Sequence, residues 1–176
     1  PIRRKRSELV SQDSLARSIQ LALLQPDCSA ILVLFDADDD CPHDLAPKLQ
    51  AWATAEARDI PCAIVMANRE YEAWFLAALK SLRGKRNISD AATPPPDPER
   101  VRGAKEMLER YLPSGTSYHE TADQAPLSAV FDMVAAHRAC RSFRRLVAAF
   151  GVLAKRTGVN LGPWPPEAWV MPPLSS

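Results

Sequence analysis

The run Ala30-Ile31-Leu32-Val33-Leu34-Phe35, continued by Asp36-Ala37-Asp38-Asp39-Asp40, decides the fold. Its first six residues form a short unbroken apolar stretch rich in β-branched and large side chains. A strand buried on both faces has this pattern, which points to a parallel sheet covered by helices. Cys62-Ala63-Ile64-Val65-Met66-Ala67 repeats the signal. Between the two runs, Leu45, Leu49, Trp52, Ala53 and Ala57 share one helical face, Pro47 suits a first helical turn, and Pro61 ends the segment. Strand, crossover helix and strand make a βαβ unit, for which a right-handed crossover is the rule. The fold class expected is therefore α/β.

Upstream, Leu15, Ile19, Ala22 and Leu23 recur at the helical period, predicting a helix from about Ser11 to Gln25 that Pro26 stops. Downstream, Ala73 to Leu79 begins a strongly apolar helix ending near Gly84. Residues 85–98 turn polar and proline-dense, with Pro94-Pro95-Pro96, and predict an extended loop. Pro98-Glu99 opens a helix to about Leu112. Two more are expected over Leu127 to Ala139 and Ser142 to Lys155. The expected organisation is an α/β core over residues 1–82, a proline-rich loop over 83–98, a helical part over 99–157 packed on the core, and a proline-rich tail over 158–176. That tail, with Trp164 and Trp169, is either a docking strip or loose.

Composition narrows function by exclusion. The chain has 176 residues, 47% of them hydrophobic, which suits one packed domain. Every one of its 6 glycines lies at Gly84 or later, and neither G-x-G-x-x-G nor G-x-x-x-x-G-K-[ST] occurs, so P-loop, kinase and dinucleotide sites are excluded. A formal net charge of +1 gives no global field for nucleic acid or membrane. No apolar run approaches the ~20 residues of a membrane span. Arg3-Arg4-Lys5-Arg6 is followed by polar residues rather than the apolar segment of a signal peptide, so a cytoplasmic location is expected. Cys28, Cys41, Cys62 and Cys140 form no C-x-x-C pair and read as reduced thiols.

The acidic run at the carboxyl end of the first strand is the sharpest chemical feature, because ligands of open parallel α/β sheets bind outside that edge. Asp36, Asp38, Asp39, Asp40 and Asp44 would repel one another, and a divalent cation relieves that repulsion. Magnesium takes one or two carboxylates with water and a substrate phosphate, which an Asp-x-Asp pair supplies. Glu70 and Glu72 follow the second strand and reach the same edge if the strands are neighbours. The alternative is that these acids cap the next helix and solvate a loop. Asp39, Asp40 and Asp44 fit that role best, whereas Asp36 and Asp38 fit the metal. Cys41 and His43 have the spacing of zinc ligands, but no second pair accompanies them. Arg138, Arg141 and Arg145 make a stripe, with Arg144 beside it, that either tracks phosphates or is a solvated face.

Four blocks in fixed order carry a resemblance: Leu32 to Pro42, Asn68 to Ala77, Arg102-Gly103-Ala104-Lys105, and Tyr118 to Gln124. Over about residues 1–150 the chain resembles an uncharacterised bacterial domain family with a Toprim-like core, whose members are often encoded beside AAA-type ATPases. The resemblance implies a Toprim-like parallel sheet flanked by helices with a helical C-terminal part. It also implies a place in nucleic-acid processing or anti-phage defence. Asp36 and Asp38 would correspond to the Toprim Asp-x-Asp that holds magnesium, or manganese, against a phosphodiester. Glu70 and Glu72 would complete the catalytic acids. The pattern also places a strand, a Glu-Gly turn and a helix ahead of the segment that starts at Pro1, so the site as read from this sequence is expected to be incomplete. Two functions are expected on this basis: a magnesium-dependent, nuclease-like nucleic-acid-processing protein, or a non-catalytic Toprim-like module that partners an AAA-type ATPase.

Overall fold

The computed structural model describes residues 1–170. The described residues form two compact units, Pro1–Met66 with Arg145–Glu167 and Ala67–Arg144 with the residues from Ala168 onward. The part of the proline-rich tail beyond Val170 lies outside the described residues.

The first unit opens with α1 (Arg6–Leu9) and α2 (Gln12–Leu23), followed by β1 (Ile31–Asp36), α3 (Pro42–Ala57) and β2 (Cys62–Ala67), the last residue of which opens the second unit. The two strands pair as a small parallel sheet, so the βαβ unit and the mixed α/β class read from the sequence are present. Leu9, Leu15, Ile19, Ile31, Leu49, Ala53 and Ala57 form its core, with Leu15 and Ile19 on one face of α2 because they are four residues apart. Helix α3 starts at Pro42 rather than at Pro47. Cys41 is extended and Pro42 has the fixed φ of a first helical residue, while Pro47 sits inside the helix and removes one N–H donor from it. β1 is not covered on both faces: Ile31 is buried, but Leu32 is 39% exposed, since a strand with so few neighbours cannot be enclosed.

Gln50 on α3 completes the sheet. Its amide Nε2 donates to the Cys62 carbonyl at 2.9 Å and its Oε1 accepts from the Ile64 N–H at 2.8 Å. β1 meets the other side of β2, where the Ile31 N–H bonds the Pro61 carbonyl at 2.8 Å. A residue of a third parallel strand would make the same two bonds that the Gln50 side chain makes, so one amide blunts an otherwise open edge.

In the second unit the apolar segment after β2 is divided into α4 (Glu72–Ala77) and α5 (Leu79–Leu82) at Ala78, whose φ of −102° and ψ of 15° leave the helical region. Every residue of α4 is buried. A helix so apolar needs cover on all sides. The Trp74 and Phe75 rings supply contacts, edge-on to Phe143 at 5.1 Å and to Phe131 at 5.6 Å, and the Trp74 Nε1–H donates to Ser142 Oγ at 2.8 Å. The helix expected over 98–112 is a 3-10 turn, Pro98–Arg100, and then α6 (Ala104–Glu109). Gly103 separates them with a left-handed φ of +70°, a conformation that costs glycine little.

After one π-helical turn, Glu120–Gln124, come α7 (Ala125–Ser128), α8 (Met133–Ala139) and α9 (Arg141–Arg156). Asp132 caps α8 through the N–H groups of Val134 and Ala135, which splits the helix expected over 127–139. The Arg144 guanidinium donates to the His137 and Arg138 carbonyls at 2.9 and 3.0 Å, so the arginine beside the basic stripe closes the end of α8. In the first-unit part of α9, the Trp164 Nε1–H donates to the Val147 carbonyl at 2.7 Å and the indole packs on Phe150. All four cysteines are free thiols; Cys140 is buried and Cys41 exposed. Among the described residues no helix is long and apolar enough to cross a membrane.

Candidate functional site

The acids after β1 sit in a tight turn. Asp36 is the last residue of the strand, Ala37 is buried, and the Asp40 N–H bonds back to the Ala37 carbonyl at 3.0 Å. Asp38, at the bend, takes a left-handed φ of +52°, which aspartate tolerates better than most residues. Arg6 clasps this turn. Its Nε lies 3.1 Å from Asp38 Oδ2, and its terminal NH2 group contacts both Asp40 Oδ2 and the Ala37 carbonyl. A cation thus relieves the repulsion among these carboxylates, and here it is a guanidinium. His43 pairs with Asp44 at 2.9 Å, and that hydrogen bond holds the Asp44 carboxyl below the usual range.

Magnesium, which the Asp-x-Asp resemblance implies, binds through one or two carboxylates and keeps several waters. Asp36 and Asp38 are hard-oxygen donors of that kind within one turn, so the donor chemistry fits. A metal on Asp38 would displace Arg6 from it. Among the described residues no group of three or more His, Cys, Asp or Glu side chains is arranged to hold a metal ion.

Glu70 and Glu72 belong to the second unit. Glu70 accepts from the N–H groups of Ala104 and Lys105 at 3.2 and 3.1 Å, so its two oxygens cap the first turn of α6. Capping groups normally precede their helix closely in sequence, and this one comes from the turn after β2, 34 residues before Ala104. Glu72 is fully buried. Its Oε1 accepts from the Tyr118 hydroxyl at 2.7 Å and from Gln124 Nε2 at 3.2 Å, whereas its buried Oε2 has no hydrogen-bond partner among the described residues. Burial pushes the Glu72 carboxyl up, against the hydrogen bonds and the Lys105 charge that favour its ionised form. Burial and the Glu72 contact together push the Tyr118 hydroxyl up, leaving it a hydrogen-bond donor.

Three of the four sequence blocks thus converge. Asn68–Ala77 supplies Glu70 and Glu72, Arg102–Lys105 supplies the capped turn, and Tyr118–Gln124 supplies the partners of Glu72. Lys105 Nζ also pairs with Glu120 at 2.5 Å. The π-helical turn that carries Gln124 is of a kind that recurs at functional sites. Glu99 was not singled out by the sequence; its two oxygens cap α9 at the N–H groups of Arg141 and Ser142, at 2.7 and 2.8 Å.

Arg86 was also missed. It and Asn87 occupy the centre of a turn closed by the Ile88 N–H to the Lys85 carbonyl at 2.9 Å, with φ values of +49° and +63°. Two left-handed central residues define a type I′ turn, for which Asn-Gly is the favoured pair. For arginine such a backbone costs about 1–2 kcal/mol. The Arg86 guanidinium pairs with Asp123 Oδ1 at 2.6 Å, but a partly exposed ion pair contributes only about 0–1 kcal/mol. That pair does not offset the strain. Partial burial works against ionisation of Asp123, yet Arg86 and the His119 N–H, 2.9 Å from Oδ2, hold its carboxyl below the usual range. Tyr118 and His119 line two cavities, of about 340 and 590 Å³.

These features define a mixed α/β protein in which an acidic turn follows the first strand and a buried, hydrogen-bonded glutamate follows the second. The chain belongs to the family described as Domain of unknown function (DUF4276), whose model matches residues 1–150. No curated protein and no solved structure matches it.

Proposed function

We propose that the protein is a Toprim-like, magnesium-dependent nucleic-acid-processing protein in which Asp36 and Asp38 bind the metal. The observation that carries this reading is the placement of Asp36 and Asp38 at the carboxyl end of β1, where parallel α/β sheets bind ligands. Bound magnesium or manganese would act there as a Lewis acid on a phosphodiester oxygen. Glu70 and Glu72 serve as positioning residues, since the contacts of Glu70 define α6 and those of Glu72 tie α4 to the 118–124 segment.

A non-catalytic Toprim-like module that docks on an AAA-type ATPase is the second reading. It is favoured by Arg6, which already neutralises Asp38 and Asp40. One set of measurements separates the two. Calorimetric titration of the chain with magnesium and with manganese is paired with cleavage assays on single-stranded DNA, duplex DNA and RNA. The first reading expects metal binding and metal-dependent cleavage, both abolished by Asp36→Asn and Asp36→Ala, with tighter metal binding in Arg6→Ala. Heat-free titrations in all variants, or cleavage unchanged by the Asp36 substitutions, would leave only the second.

A further inference from the structure

We infer that the cavity of about 590 Å³ beside Tyr118 and His119 binds a small amphipathic anion, an apolar or planar body carrying one phosphate or carboxylate. Its volume falls within the roughly 300–1,000 Å³ of small-molecule sites, which combine apolar walls with a few placed polar groups. The lining has both components. Leu112 and Ala122 supply the apolar surface, over the buried Leu108 and Leu127, and Arg86, Asn87 and Ser117 supply donors.

Arg86 and its ion-pair partner Asp123 both line the cavity; both Asp123 oxygens are engaged, Oδ1 by Arg86 and Oδ2 by the His119 N–H, so Arg86 is the charged group of the pair with donors to offer an anion. A guanidinium is permanently charged, and its planar fork matches carboxylate and phosphate oxygens in pairs. This one is fixed before any ligand arrives: the type I′ turn sets its backbone, and Asp123, itself anchored by the His119 N–H, holds one end of the fork. Its contacts among the described residues, to Asp123 Oδ1 and the Ala122 carbonyl, both use the same terminal nitrogen, so the other N–H groups of this half-exposed side chain are donors for a ligand. Backbone strain that the surroundings maintain without a matching gain in stability is a mark of ligand clamps. Asn-Gly would have closed the turn without strain; Arg58 and Arg69 also take left-handed φ values, of +54° and +60°, so at Arg86 it is the strain together with the cavity that points to a role for the side chain. All of these groups lie within the second unit, so the inference is independent of metal at Asp36 and Asp38.

The test titrates the full chain with adenosine 5′-monophosphate, with phenylacetate and with inorganic phosphate, and follows backbone amides by NMR. At least one of the two amphipathic probes should bind with a Kd below about 1 mM and about tenfold more tightly than inorganic phosphate, shifting Asn87 and Ser117. The stronger of the two identifies phosphate or carboxylate as the anionic group. Arg86→Gly relaxes the left-handed backbone while removing the guanidinium, so it should weaken binding about tenfold with an unchanged or higher Tm. Arg86→Asn, also at ease in this conformation, serves the same purpose if the glycine variant is poorly folded. The site is ruled out if neither amphipathic probe saturates by about 10 mM. Equal binding by inorganic phosphate, or by either Arg86 variant, overturns it as well.

Discussion

Glu72 is the residue whose burial works most plainly against its chemistry. A carboxylate removed from water is costly unless its oxygens are bonded, and among the described residues only Oε1 has partners. The folded state therefore favours the protonated acid, and burial raises the carboxyl above its ordinary 4.5. Between that value and the raised folded one, the folded chain holds a proton that the unfolded chain has released. Stability from this group is thus greatest at low pH and falls as pH rises through the window above 4.5, until the folded-state acid has ionised. Glu72→Gln keeps an oxygen for the Tyr118 hydroxyl and removes the titration. The difference in Tm between wild type and this variant should shift in the variant's favour as pH rises from about 4.5 toward neutrality. Parallel curves from scanning calorimetry would show that Glu72 ionises normally. The sequence marked Glu72 as an acid after the second strand, but that its partners would be Tyr118 and Gln124 depends on contacts 46 and 52 residues away. Asp36 and Asp38 were legible because their position follows from the strand before them; Arg6 as the counter-charge of Asp38 and Asp40 was not, since a basic run near the N-terminus names no partner.

At the scale of elements, the two strands were readable almost to the residue because an unbroken apolar run bounded by turn residues has few alternatives. The helices after β2 were less so. Their apolar periodicity continued through points where the backbone breaks, at Ala78 and at Gly103, and in each case local conformation overrode the pattern. Gln50 shows what element boundaries alone leave out. It lies on the predicted helix, yet its amide stands in for a missing strand against Cys62 and Ile64. Gln50→Ala leaves two partly buried backbone groups without protein partners, and loss of such partners costs about 1–3 kcal/mol each. Chemical denaturation should show destabilisation of about 2 kcal/mol or more, and amide exchange should speed up first at Ile64. Unchanged protection there would mean that water serves the β2 edge equally well. Gln50→Glu is a useful companion, since it keeps the acceptor for the Ile64 N–H while losing the donor to Cys62.

At the scale of the whole molecule, the two units have cores of different chemistry: aliphatic around Leu15 and Leu49, aromatic around Trp74, Phe131 and Phe143. A single sequence shows apolar faces but not which face each one meets, so the return of residues 145–167 to the first unit was not legible. The tail brings this out. Its prolines and tryptophans read equally as a docking strip or as a loose end, whereas Trp164 is docked on α9 and Trp169 meets the His137 ring at a tilt, 5.6 Å between ring centres. Gly151 is where α9 makes room, because a β-carbon there would stand 2.4 Å from Trp164 Cδ1. A chain ending at Thr157 loses a buried indole face and its hydrogen bond, together about 1–3 kcal/mol. In a protein of this size that corresponds to a fall in Tm of roughly 2–12 °C. Gly151→Ala, which forces the indole off the helix while leaving the tail attached, should reproduce much of that fall and raise the exposure of Trp164 to fluorescence quenchers. If the truncated chain melted at the wild-type temperature, the tail would add nothing to the fold, and its two tryptophans would have to be accounted for by binding something else.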